Sequence, residues 1–164
     1  MSEQVSQPVS SLSSPLSLAS GVAEAAAAPV VVFTNGAFDV PHFGHAQFLR
    51  ACKRFGTKLI VGLNSDASVR RLKGSSRPIC NEVERSGVLE EFRSVDEVIL
   101  FSEDTPCELI ARLKPDIIVK GPGYSEANMP EAAIVNAYGG RVVILDGPPI
   151  STTAIIERIR QCPN

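Results

Sequence analysis

The sequence predicts a doubly wound α/β domain built on a five-stranded parallel sheet. Short β-branched runs recur along the chain, and helix-like segments separate them in strict alternation. The runs are apolar throughout instead of alternating with polar residues, as strands covered on both faces are. VVVFT at 30–34 is the first expected strand, ending at Thr34, and a helix over 43–55 follows it. KLIVGLN at 58–64 is the second strand, followed by helices over 65–72 and 81–93; Asn81 is placed to cap the latter. EVILF at 97–101 is the third strand. A helix over 106–113 has Pro106 where a first turn tolerates it and Pro115 closing it. DIIVK at 116–120 is the fourth strand, then a helix over about 128–138 ends at Gly139 and Gly140. RVVIL at 141–145 is the fifth strand, and 152–161 the last helix.

A chain of 164 residues with 44% hydrophobic content can bury one real core, so a single domain is expected over 29–164. Residues 1–28 are rich in Ser, Ala and Pro and contain no Lys or Arg. With little to bury they are expected as a disordered tail, and they lack the positive start of a secretory signal. A formal net charge of -2 gives no basic field for a nucleic-acid partner. No apolar run approaches the roughly 20 residues of a membrane helix, so a soluble, cytoplasmic protein is expected. Cys52, Cys80, Cys107 and Cys162 are dispersed without metal-site spacing and are expected as reduced thiols.

The chemistry concentrates after the first strand. Both histidines of the chain, His42 and His45, lie in FTNGAFDVPHFGH, Phe33 to His45. In an open parallel sheet, ligands bind beyond the carboxyl ends of strands near the point where strand order reverses. Gly36 permits a tight turn there, and Gly44 opens the start of the next helix to a ligand's close approach. A helix N-terminus attracts anions, and two imidazoles one turn apart add donors aimed at the same place. Pro41 should hold Val40 in extended geometry.

TNGAFDVPHFGH resembles the TNGxFDxxHxGH signature of the cytidylyltransferase-like nucleotidyltransferases. The resemblance continues through LIVGLNSDASVRRLKG, SRPI, SVDEVILFSEDTPCELI, KPDIIVKG, YGGRVVIL and STTAIIERI, nearly continuously over 30–160. Together these are similar to the heptose 1-phosphate adenylyltransferase domain of the bifunctional bacterial heptose enzyme. The sugar-kinase domain of that enzyme is missing from this sequence, so a stand-alone transferase is expected. The resemblance implies a Rossmann-like nucleotidyltransferase fold. It also implies nucleotidyl transfer from a nucleoside triphosphate, ATP before CTP, to a sugar phosphate, with pyrophosphate leaving. Mg²⁺ would ride on the triphosphate without protein ligands, and a homodimer or larger oligomer is implied.

Residue by residue, the resemblance makes His42 and His45 triphosphate-binding, transition-state-stabilising groups, with Lys73 reaching the phosphates unless it is simply solvated. Ala37, Phe38, Gly44 and Lys120 fall at nucleotide-binding positions. Ser151, Thr152 and Thr153 cap the last helix, hold the triphosphate, or do both. Asp39 either orients its loop or touches the acceptor. Arg77, Gly121 and Tyr124 are candidate acceptor contacts, and Arg85 makes either a salt bridge or a substrate contact. The chain departs from the heptose pattern KGGDY at KGPGY, where Gly123 replaces the acid, and Glu131 and Ile134 stand where Gly and Glu are expected. A carboxylate accepts hydrogen bonds and glycine's side chain cannot, so acceptor or base contacts there must differ. Asp146 stands where the glycerol-3-phosphate cytidylyltransferase branch has arginine. A nucleotide-binding module without catalysis is the alternative of a different class.

Overall fold

The computed structural model describes residues 28–146 and 151–162. The expected strands and helices are all present: β1 (Val31–Gly36), α1 (Phe43–Lys53), β2 (Lys58–Asn64), α2 (Asp66–Lys73), α3 (Glu82–Glu90) and β3 (Glu97–Phe101) come first. They are followed by α4 (Cys107–Leu113), β4 (Ile117–Lys120), α5 (Pro130–Ala137), β5 (Arg141–Ile144) and α6 (Thr152–Gln161). The five strands form one parallel sheet in the order β3-β2-β1-β4-β5. The chain winds outward from β1 in one direction, then returns to place β4 on the other side. The order therefore reverses between β1 and β4, where a crevice opens at the strands' carboxyl ends.

Each face of the sheet carries its own core. Val32, Val61, Leu63 and Val119 pack with Leu49 and Cys52 of α1 and Leu89 of α3 on one face. Phe33, Ile60 and Ile118 pack with Leu109 and Ile110 of α4 and Val135 of α5 on the other. Neighbours along the inner strands β2, β1 and β4 thus point into different cores, which is why those runs are largely apolar, while the edge strands β3 and β5 are only partly covered. Gly62 in β2 answers to close approach: a Cβ there would stand 2.7 Å from the Phe33 ring and 3.2 Å from Asn35 Cβ.

The boundaries shift where a cap or a pairing decides them. β1 continues past Thr34 to Gly36, because Asn35 and Gly36 still pair with Gly62 and Leu63 of β2. Ser65 is the N-cap of α2, and its hydroxyl accepts from the Ser68 N–H at 3.2 Å. Asn81 caps α3 as expected, accepting from the Val83 and Glu84 N–H groups, each at 3.0 Å. α3 ends at Glu90, and a short turn follows. α5 starts at Pro130 after a single 3₁₀ turn over Glu126–Asn128, and Gly139 leaves it with φ +86°. The expectation for the N-terminal tail falls outside the described residues apart from Ala28, as does the segment 147–150.

Candidate active site

The loop from β1 to α1 is held by bonds from three other segments. Asp39 is buried and accepts from the Ile79 N–H at 2.9 and 3.0 Å and the Cys80 N–H at 3.0 Å. The Arg77 Nε, 2.9 Å from the other Asp39 oxygen, completes the ion pair. The Asp39 carbonyl accepts from the Thr152 hydroxyl at 2.7 Å, and the Ala37 carbonyl from Arg85 Nη1 at 2.6 Å. These ties hold Phe38 at φ +43° and Val40 at φ +48°, backbone that costs on the order of 1–3 kcal/mol per non-glycine residue. Val40 is therefore left-handed, not extended as Pro41 predicts, because the clamp on Asp39 outweighs the local preference. Gly36 keeps a negative φ; its missing side chain instead makes room for the Phe38 ring, which a Cβ would meet at 3.2 Å.

His42 is the N-cap of α1, and its Nδ1 accepts from the Gly44 N–H at 3.0 Å. His45 Nδ1 accepts from the His42 N–H at 3.3 Å. A neutral imidazole carries one proton, so both rings hold it on Nε2. The rings lie 4.0 Å apart, with the Phe38 ring edge-on to His45 at 5.3 Å. Burial lowers the His42 pKa, while burial and then the charges of His42 and Lys73 lower His45 to about 4. The His42 Nε2 is buried and has no hydrogen-bond partner among the described residues. An orphaned buried donor at a helix N-terminus is a place for an anionic oxygen.

His45 lines a polar cleft of about 310 Å³ together with Lys73, Arg77, Gly121, Tyr124, and Ser151, Thr152 and Thr153 at the start of α6. Desolvation and then the Arg77 charge lower the Lys73 pKa. Ser151 caps α6 by accepting from the Ala154 N–H at 3.2 Å. A larger, mainly apolar cleft of about 950 Å³ adjoins it, sharing Phe48, Pro122 and Ser151. His42 and Gly44 line that one, opposite Ile155 and Arg158 of α6.

The model of the family described as cytidylyltransferase-like matches residues 33–158. The chain belongs to the cytidylyltransferase-like family. Among its relatives is the bifunctional protein HldE of Syntrophotalea carbinolica, 52% identical over 130 residues, 79% of this chain and 26% of that protein. Another is the bifunctional protein HldE of Campylobacter jejuni, 53% identical over 131 residues, 79% of this chain and 28% of that one. The chain spans about a quarter of the length of these curated relatives. The solved structure of the lipopolysaccharide core biosynthesis protein from Thermoplasma volcanium GSS1 superposes with a TM-score of 0.63 at 28% identity, covering 74% of this chain and 99% of that one.

In this cytidylyltransferase-like chain, nearly all the residues singled out by resemblance gather at the two adjoining clefts. Lys120 does not line them. It is buried, with its ammonium paired to Glu131 and bonded to Asn35 Oδ1 at 2.6 Å. The Asp39 carboxylate is engaged by the 77–80 segment, and fully buried Arg85 bonds backbone carbonyls and Asp66. Sequence reasoning passed over Asn35, Phe48 and Pro122 as cleft-lining residues, although Asn35 stood inside the quoted motif. No three metal-ligating side chains gather among the described residues. Asp39, the carboxylate of the polar cleft, has both oxygens engaged, so these residues do not fit a protein-held cation.

Proposed function

We propose that the protein transfers a nucleotidyl group from a nucleoside triphosphate, ATP, to a sugar 1-phosphate, heptose 1-phosphate, releasing pyrophosphate. Membership in the cytidylyltransferase-like family supports nucleotidyl transfer. The observation that carries the reading is His45, in the first turn of α1, lining one cleft with Lys73, Arg77 and the start of α6, next to the buried and unpartnered Nε2 of His42, which lines the adjoining cleft. Two helix N-termini and two cations around adjoining clefts suit a polyanion.

In the reaction, an oxygen of the acceptor phosphate attacks the α-phosphorus, a new P–O bond forms, and the bond to the pyrophosphate oxygen breaks. The attacking phosphate is already anionic near neutral pH, so no general base is required. The catalytic task is alignment and neutralisation of charge on the phosphoryl oxygens. His42 and His45, neutral with their protons on Nε2, donate to oxygens that gain charge as the bond to pyrophosphate breaks. Lys73 and Arg77 offset the charge of the departing group, and the N–H groups opening α6 hold its oxygens. The nucleotide would enter as its magnesium complex, the ion offsetting phosphate charge. The apolar wall of Phe48, Pro122, Leu145 and Ile155 suits the flat face of a base.

A second reading, cytidylyl transfer to another phosphorylated acceptor, is favoured by Gly123. With φ +93° and no atom within 4 Å of a notional Cβ, it offers no side chain from that loop. Pyrophosphate release, crossing ATP and CTP against heptose 1-phosphate, glycerol 3-phosphate and other phosphorylated acceptors, tests both. Turnover confined to ATP with heptose 1-phosphate supports the first reading, and turnover with another pair supports the second. Silence across the panel removes both.

A further inference from the structure

β1 and β4 pair only at Val32 with Ile117 and Phe33 with Ile118. Carried two residues further, the same register sets Asn35 opposite Lys120, where the strands have parted and the crevice begins. One side-chain bond crosses that gap: Lys120 Nζ donates to Asn35 Oδ1 at 2.6 Å. Lys120 and its ion-pair partner Glu131 are each 4% exposed, and the Lys120 ammonium lies 5.1 Å from the Tyr124 ring centre.

This arrangement fixes which way the Asn35 amide faces. An ammonium has three donors and no acceptor, so Asn35 can offer it only the oxygen. The amide nitrogen, with two donors, is turned away from Lys120 on a residue that lines the polar cleft beside Gly121 and Tyr124. Glu131 makes the orientation durable. Its carboxylate pairs with the ammonium and so keeps the Lys120 Nζ donors in place beside the Asn35 oxygen.

We propose that Asn35 binds the substrate by donating its side-chain N–H groups to an oxygen of the phosphorylated acceptor, and that the buried Lys120–Glu131 pair is the device that orients it. The inference rests on the nucleotidyl-transfer reading above. It assigns Asn35 to the acceptor because of where the charges lie. The two histidines rise from α1 on one face of the sheet, whereas Asn35 lies on the Phe33 side of β1, toward α4 and α5. Lys73 and Arg77, the cations that suit a triphosphate, come from the end of α2 and the segment after it, whereas Asn35 and Gly121 come from the ends of β1 and β4. The wall formed by Asn35, Gly121 and Tyr124 offers neutral groups, which match hydroxyl and monophosphate oxygens.

Steady-state kinetics on the full chain tests this, with nucleotide and acceptor varied separately in whichever pair the wild type turns over. Asn35→Asp keeps the shape and the oxygen facing Lys120 but removes the N–H donors. The expected result is a fall of about ten- to a hundredfold in kcat/KM for the acceptor, with the nucleotide KM within about twofold of wild type. Glu131→Gln should lower the same acceptor parameter and the melting temperature together. Combining the two substitutions should restore the melting temperature, since the new carboxylate at position 35 neutralises Lys120, without restoring acceptor kcat/KM. Should Glu131→Gln alone fail to fold, the single Asn35 variant and the pair still decide the matter. Wild-type acceptor kinetics in Asn35→Asp, or a loss falling on the nucleotide KM, overturns the assignment of Asn35. Wild-type acceptor kinetics in folded Glu131→Gln overturns the orienting role of the pair. A wild-type protein inactive with every pair removes the underlying reading and this inference with it.

Discussion

His42 caps α1 and, in the proposed reaction, also donates to a phosphoryl oxygen, and substitution can separate the two. Its Nδ1 caps α1 through the Gly44 N–H, while its buried Nε2 has no partner among the described residues. His42→Ala removes both and should cost about 1 kcal/mol of stability beside a large loss of turnover. His42→Asn keeps a good capping residue and removes the imidazole donor. In urea unfolding it should stay within about 0.5 kcal/mol of wild type, yet kcat should fall about 10²- to 10³-fold, the scale set by losing one preorganised donor. Equal turnover in wild type and His42→Asn would reduce the residue to a cap. His45 carries a pH signature. Its pKa in the folded protein is about 4, below the ordinary imidazole value of 6.5, so between these values the unfolded chain binds the extra proton. The stability it contributes is fully present above pH 6.5 and declines as pH falls toward 4. Denaturant titrations across that interval should show a decline that His45→Gln flattens.

At the scale of elements, Arg85 joins pieces that local sequence does not connect. From α3 it reaches the Ala37 carbonyl at 2.6 Å, the Asn64 carbonyl at the end of β2 at 2.8 Å, and the Cys80 carbonyl at 3.0 Å. Its remaining arm bonds Asp66 at 2.7 Å in the first turn of α2. Fully buried, the guanidinium ties the β1–α1 loop to β2, α2 and α3 together. Arg85→Met should therefore cost about 3–5 kcal/mol in equilibrium unfolding, because Asp66 and three carbonyls lose their partner at once. A cost under about 1 kcal/mol would show that water replaces the guanidinium without penalty.

At the scale of the whole molecule, the alternation of apolar runs with capped helices sufficed for the class of fold. The inner strands announce themselves by burial on both faces, and α3 by the asparagine that caps it. These signals are local, carried by residues within one or two turns of each other. The HxGH resemblance likewise placed the candidate site at the end of the first strand. The order β3-β2-β1-β4-β5 was not readable in this way, because which strands pair depends on crossovers that no single segment encodes. The same limit holds for the partners of Asp39, Arg85 and Lys120, which position along the chain does not give. Asp39 is fixed by backbone groups about 40 residues away and Arg85 by a carbonyl 48 residues away, while Lys120 meets Asn35 across 85. By itself the sequence determined the elements, their caps and the stretch that carries the chemistry. Only the tertiary structure decided which charged side chains face the cleft and which are neutralised beneath it, because that depends on partners brought together when the sheet closes, not on neighbours along the chain.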